Sequence, residues 1–155
     1  MHKTAFKTKI GMLCMSLLIA LPALADSSAS ADALLNSAST LLQRIDAGRD
    51  DELWQSTAEF VRSTMSQEKF SSAINQARQS VGTVAKRSWA SVSRLEFAAG
   101  GAVPKGLYAN IDFATTLADG RIVYELVSLK QGDDGQWYLT GYQPRLPKIE
   151  KGVSP

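Results

Sequence analysis

From Leu34 onward the apolar residues Leu34, Leu35, Ala38, Leu41, Leu42 and Ile45 recur every three or four positions. This spacing lines one face of a helix, and Gly48 offers the left-handed stop that commonly follows one. Asp50, Asp51 and Glu52 come next, acids suited to the positive end of a helix dipole. Behind them Leu53, Trp54, Ala58, Phe60, Val61 and Met65 predict a single second helix. Ser66 is a good N-cap for a third, with the stripe Phe70, Ala73, Ile74, Ala77 and Val81 and Gly82 as its stop.

Past Gly82 the period drops to two. Ala85–Ala98 reads as a long first strand with Trp89, Leu95 and Phe97 on one side. In Leu107–Leu117 the odd positions Leu107, Ala109, Ile111, Phe113 and Leu117 are apolar, interrupted by Thr115. That alternation predicts a half-buried second strand. Asp119-Gly120 signals a two-residue hairpin into Arg121–Lys130, and Asp134-Gly135 a second hairpin into Gln136–Tyr142. Pro144, Pro147 and Pro155 suggest an extended tail over residues 145–155. Helices followed by hairpin-linked strands give an α+β fold, with about three N-terminal helices packed on a curved four-stranded antiparallel meander. With no internal repeat and no long linker, residues 32–144 form one domain, preceded by a flexible lead-in over 26–31.

The first 25 residues follow a different logic. Met1–Lys9 carries three lysines and no acid, Ile10–Leu21 is apolar, and Pro22-Ala23-Leu24-Ala25 ends in small residues at the spacing of a cleavage site. These are the parts of a secretory signal peptide cut between Ala25 and Asp26. The apolar run of about twelve residues falls well short of the roughly 20 that span a bilayer. Leu13 stands before Cys14 where a lipoprotein signal needs a small residue. Removing Lys3, Lys7 and Lys9 lowers the basic count from 17 to 14 against 15 acids, so the charge of +2 becomes −1. That balance excludes a protein that binds nucleic acid through concentrated positive charge. The single histidine and single cysteine, His2 and Cys14, leave with the leader. The exported chain thus has no thiolate nucleophile, disulfide, imidazole base or zinc-type site. A bacterial periplasm is the expected destination.

Trp54 and Phe60 on a helix, the Val81-Gly82 stop, Arg87, Gly106-x-Tyr108, the strand residue Glu125, Asp134-Gly135-x-Trp137 and Gly141-Tyr142 stand in a characteristic order. In this order and spacing, Trp54–Tyr142 resembles the bacterial exported proteins grouped as domain-of-unknown-function family 4019. Ala102-Val103-Pro104-Lys105 departs from the leucine-proline-glycine-like turn of that family. The resemblance implies a small cone of curved antiparallel sheet covered by helices, in the cystatin or nuclear-transport-factor-2 style. It brings no assigned activity.

Glu125 is the most informative residue. It shares a strand face with Val123, Val127 and Leu129, so a carboxylate stands among apolar side chains. A lone buried carboxylate is costly and acquires a partner. Arg87 is the preferred one, as a guanidinium binds a carboxylate bidentately; Arg94 and Arg121 are alternatives. Glu125 is then either a charge at a pocket floor or half of a structural ion pair. On the second strand's even positions, Tyr108, Asn110, Asp112 and Thr116 are joined across the hairpin by Tyr124. Asp112 as base and a tyrosine as acid would suit proton transfer, while alternating polar residues also describe a solvated sheet face. Trp89, Trp137, Tyr138 and Tyr142 concentrate aromatic surface on the sheet, as core, as cross-strand pairs or as a patch for a partner.

Other motifs carry less. Ser66-Gln67-Glu68-Lys69 fits the S-x-x-K of penicillin-recognising enzymes without their companion elements, so Ser66 reads as a helix cap. Asp133-Asp134-Gly135 lacks the ligand pattern of a calcium loop, and Gly100-Gly101 and Gly106 precede no helix that would cradle phosphate. The expected function is a periplasmic binding or interaction module without catalysis, cofactor or metal. The candidate binding residues are Arg87, Glu125, Tyr108, Asp112 and Tyr124. The expected partner is an envelope protein or a small amphipathic ligand, with no nucleic acid and no membrane insertion after cleavage, and the chain acts as monomer or dimer. The alternative is a small cone-fold isomerase or dehydratase using carboxylate and tyrosine groups.

Overall fold

A computed structural model describes residues 30–147. The leader, its Ala25–Asp26 cleavage point and residues 148–155 of the tail lie outside them. Four helices precede four strands: α1 Ala31–Asp46, α2 Asp50–Gln55, α3 Glu59–Thr64, α4 Gln67–Val81, β1 Val84–Phe97, β2 Gly106–Leu117, β3 Ile122–Gln131 and β4 Trp137–Arg145. The strands form one open sheet in the order β1-β2-β3-β4, with every neighbour antiparallel.

Helix ends follow local chemistry. The Ser30 hydroxyl accepts the Ala33 N–H at 3.0 Å and starts α1. Ser66 accepts the Lys69 N–H at 3.4 Å and starts α4, so the two polar residues of the S-x-x-K motif form a cap. Gly82, at φ +91°, ends α4 in a backbone conformation that a side chain rarely adopts. Leu34, Ala38, Leu41, Leu42 and Ile45 of α1 meet Ala109, Ile111 and Phe113 of β2 and Val127, Leu129 and Leu139 beyond them in one core, which also takes Phe70 and Ile74 of α4. The odd positions of β2 and β3 face this helical layer. The even positions form the opposite face, which no helix covers among the described residues.

Four expectations need correction. The stripe from Leu53 to Met65 is two helices, not one, because Ser56–Ala58 leaves the helix to bond β4. Ala58 N–H donates to the Leu139 carbonyl and Leu139 N–H to the Ser56 carbonyl, both at 2.8 Å. Leu139 is fully buried on the sheet's edge, and buried backbone groups must find partners. Both hairpins have three-residue loops, not two. Leu117 N–H bonds Arg121 C=O across Ala118-Asp119-Gly120, and Gly132 N–H bonds Gln136 C=O across Asp133-Asp134-Gly135. A two-residue turn of the Asp-Gly type needs positive φ at both residues. Among the described residues only glycines have it, including Gly120 at +84° and Gly135 at +77°. Trp89 does not share a side with Leu95 and Phe97. The register slips between Trp89 and Ser91, so Trp89 pairs with inward-facing Phe113 while Leu95 pairs with Tyr108 on the other face. One extra residue, Ala90, reverses every side chain beyond it. Finally, Pro144 belongs to β4, opposite Glu125, where an edge strand tolerates its missing N–H.

Candidate functional site

Glu125 stands fully buried on the helical face of β3, between Val123 and Val127. Arg87 reaches it from β1 as a fork, with Nε 2.7 Å from Oε2 and Nη2 3.1 Å from Oε1. The Thr115 hydroxyl donates to Oε2 at 3.2 Å, and the Tyr142 hydroxyl to Oε1 at 3.4 Å. The same guanidinium carries on to Asp46, the last residue of α1, through Nη1 to Oδ2 and through Nη2 to Oδ1 at 2.9 Å. Arg78 of α4 closes the chain, with Nε 2.6 Å from Asp46 Oδ1 and Nη1 2.8 Å from the Gly82 carbonyl. Two cations and two carboxylates balance. With the Thr115 and Tyr142 hydroxyls they join α1, α4 and all four strands.

Side-chain exposure rises along this clasp from 0% at Glu125 to 16% at Arg87 and 30% at Asp46. Burial alone would push the Asp46 carboxyl upward, yet bonds and charge from Arg87 and Arg78 hold it below the usual carboxylate range. Burial likewise opposes the charged form of Arg87, and the bonds from Asp46 and Glu125 outweigh it and move its pKa up. Burial, with the negative charge of Glu125 beside it, pushes the Tyr142 phenol well above its ordinary value, so it stays a neutral donor. Every cation in the clasp meets an anion, and both Glu125 oxygens are bonded twice. Such a site braces packed elements, with both lone pairs of each Glu125 oxygen engaged.

The other three candidates lie on the uncovered face. Tyr108 is buried, donates its hydroxyl to the Pro104 carbonyl at 2.8 Å and packs edge-on against Phe97 with ring centres 5.0 Å apart. Asp112 and Tyr124 come together through Arg145 of β4. Its guanidinium bonds Asp112 Oδ2 and lies 5.7 Å from the centre of the Tyr124 ring. Asp112 Oδ1 is buried and has no hydrogen-bond partner among the described residues. Glu125 and Asp112 point to opposite sides of the sheet, so they form no carboxylate pair. Of the alternative partners for Glu125, Arg121 pairs instead with Asp119 at 2.7 Å, and Arg94 stands opposite Ala109.

Two surface hollows, of about 610 and 440 Å³, lie elsewhere. The larger is bordered by Phe60, Arg62, Pro104, Lys130 and Tyr138, the smaller by Thr40, Arg44, Ser56 and Trp137. Neither touches Glu125, Asp112 or Tyr124. Among the described residues no group of three or more His, Cys, Asp or Glu side chains is placed to hold a metal ion, and no helix is long and apolar enough to cross a membrane.

Reading by strand periodicity missed Asp46, Arg78 and Arg145 as partners. Thr115 left a trace as the polar break in an apolar row. Asp46 left another, because an acid at the C-terminal end of a helix opposes the dipole and signals a compensating cation.

The fold and its clasp define a helix-covered, four-stranded antiparallel α+β domain. Over residues 37–142 the chain matches the family described as protein of unknown function (DUF4019), and it belongs to that family. No curated protein and no solved structure matches it.

Proposed function

We propose that this chain is an exported protein of a bacterial envelope that works by binding another protein. The tripartite pattern of Met1–Ala25 supports export, and the charge of −1 after its removal weighs against nucleic acid. The observation that carries the binding role is the contrast between buried and exposed side chains. The carboxylates singled out as chemical candidates are sealed in or tied to arginines. Large apolar side chains instead stand in water on β1, where Trp89 is 61% exposed, Leu95 43% and Phe97 39%. Trp89 stands on one face of this edge strand and Leu95 and Phe97 on the other, so the strand is apolar on both sides of an edge unpaired among the described residues, which favours an interaction surface. An isomerase or dehydratase would need Glu125 or Asp112 within reach of a substrate proton. Glu125 lies beneath its partners, and Asp112 is held by Arg145.

Native mass spectrometry of the protein released gently from the cells that make it tests this reading. The expected result is an N-terminus at Asp26 and a mass equal to a complex between polypeptides. A retained Met1 would remove the export claim. A small molecule of a few hundred daltons, lost on denaturation, would replace the protein partner with a ligand pocket.

A further inference from the structure

The two edges of the sheet are treated differently. The edge of β4 is covered where Ser56–Ala58 bonds Leu139, and Pro144 removes a donor further along. Among the described residues no strand pairs with the outer side of β1, although β1 is the longest strand at 14 residues and contains no proline. Along that side every second residue points its N–H and C=O away from β2, a template for another strand. Three of the six large apolar side chains exposed among the described residues also belong to β1.

Resting on the interaction reading above, we propose that the partner is a second copy of this chain. β1 of each copy pairs antiparallel with the other about a twofold axis at Val92, joining two four-stranded sheets into one of eight strands. The register follows from the slips in β1. Between the irregularity after Val84 and the strand's end, Lys86–Phe97 is regular except for the extra residue Ala90. Counting Ala90 as a bulge, Val92 is the midpoint of that stretch, so an axis there pairs all of it.

This register is also complementary in chemistry. On the helical side, Val92 meets its own copy, Trp89 lies opposite Arg94 of the second copy, and Glu96 of the second copy comes beside Arg87, whose guanidinium stays in the clasp. On the other side, Phe97 lies along Lys86 and Leu95 beside Ser88. No like charges face one another, and the aromatic rings left in water gain cationic neighbours. Moving the axis to Ser91 places Arg87 opposite Arg94. Moving it to Ser93 leaves Lys86 and Arg87 unpaired. Both helical layers stay on one side of the joined sheet, so they do not collide across its plane.

Single cysteines test the register in the full chain carrying Cys14→Ala, which then has no other thiol. Under mild oxidation Val92→Cys should convert most of the protein to a disulfide-linked dimer, because axial residues of paired strands stand within disulfide reach. Ser88→Cys should stay monomeric, since its copies sit roughly 20 Å apart, three positions to either side of the axis. Leu126→Cys, at the middle of the uncovered sheet face, should also stay monomeric. Sedimentation equilibrium of the unaltered protein should show a dimer, and Trp89→Lys should weaken it roughly tenfold or more by facing a cation to Arg94. A monomer at tens of micromolar, or cross-linking at Leu126→Cys in place of Val92→Cys, overturns the proposal. A Val92→Cys adduct with a different polypeptide also overturns it but leaves the interaction reading standing; a monomer carrying a small ligand ends both.

Discussion

Replacing Arg87 by methionine should reveal how the clasp is built. Methionine keeps an unbranched stem of similar bulk and deletes the guanidinium, with its four bonds to Glu125 and Asp46. The two carboxylates suffer unequally. Asp46 keeps Arg78 and is 30% exposed, so water and one cation still serve it. Glu125 is left fully buried with only the Thr115 and Tyr142 hydroxyls, at 3.2 and 3.4 Å. Stranding a buried charge in this way costs about 3–5 kcal/mol. Arg87→Met should therefore lose about 3–4 kcal/mol, toward the lower end of that range because the two hydroxyls still bond Glu125. Glu125→Gln should cost less, about 1–2 kcal/mol, because Arg87 keeps Asp46 and some water. Combining the two leaves no stranded carboxylate, so the double variant should be more stable than Arg87→Met alone. Urea unfolding followed by tryptophan fluorescence measures all three. A loss under about 1 kcal/mol for Arg87→Met, or a double variant less stable than Arg87→Met, would refute the reasoning and make the clasp a surface ion pair.

Further outcomes are expected. Asp46 is held below its unfolded value, so its contribution is fully present above the ordinary carboxylate range and is lost as the pH falls through the lowered value. Below about pH 4 the protein should weaken with acid, and Asp46→Asn should be less stable at pH 6 yet converge with the parent near pH 2; parallel urea midpoints across that range would contradict this. Gly120→Ala and Gly135→Ala force a side chain into the left-handed backbone of the two hairpin loops, at φ +84° and +77°. Each should cost about 1–2 kcal/mol in thermal or urea unfolding. Replacement by asparagine should cost clearly less, and equal effects of the two substitutions would show that backbone strain is not the cause.

Features that depend on a few adjacent residues were legible in the chain. Ser66 caps a helix because its hydroxyl reaches an N–H three residues on, and Gly82 ends that helix because glycine tolerates its φ. Glu125 was readable as an inward carboxylate because its face is set by Val123 and Val127 on the same strand. The Asp-Gly pairs marked the hairpins, although their loop length depended on backbone angles that the dipeptide alone does not specify. For the candidate site, the chain pointed to Arg87 as the partner of Glu125, and the structure holds that pair. It gave no sight of Asp46 and Arg78, whose roles arise only when α1 and α4 are laid against β1.

What tertiary structure alone decided involves groups distant along the chain. Arg87 lies 38 residues from Glu125 and 41 from Asp46, so no local period records that it joins both. The stripe from Leu53 to Met65 satisfies a helix throughout, and it breaks because the buried edge at Leu139 accepts a hydrogen bond from the Ala58 N–H and donates one to the Ser56 carbonyl. Alternation along β1 predicts one side for Trp89, Leu95 and Phe97, and a single unpaired residue at Ala90 divides them between two faces. Periodicity thus determines which residues share a face wherever the backbone stays regular. Only the packed structure decides where it departs from regularity, because the backbone groups and charges satisfied there belong to other elements.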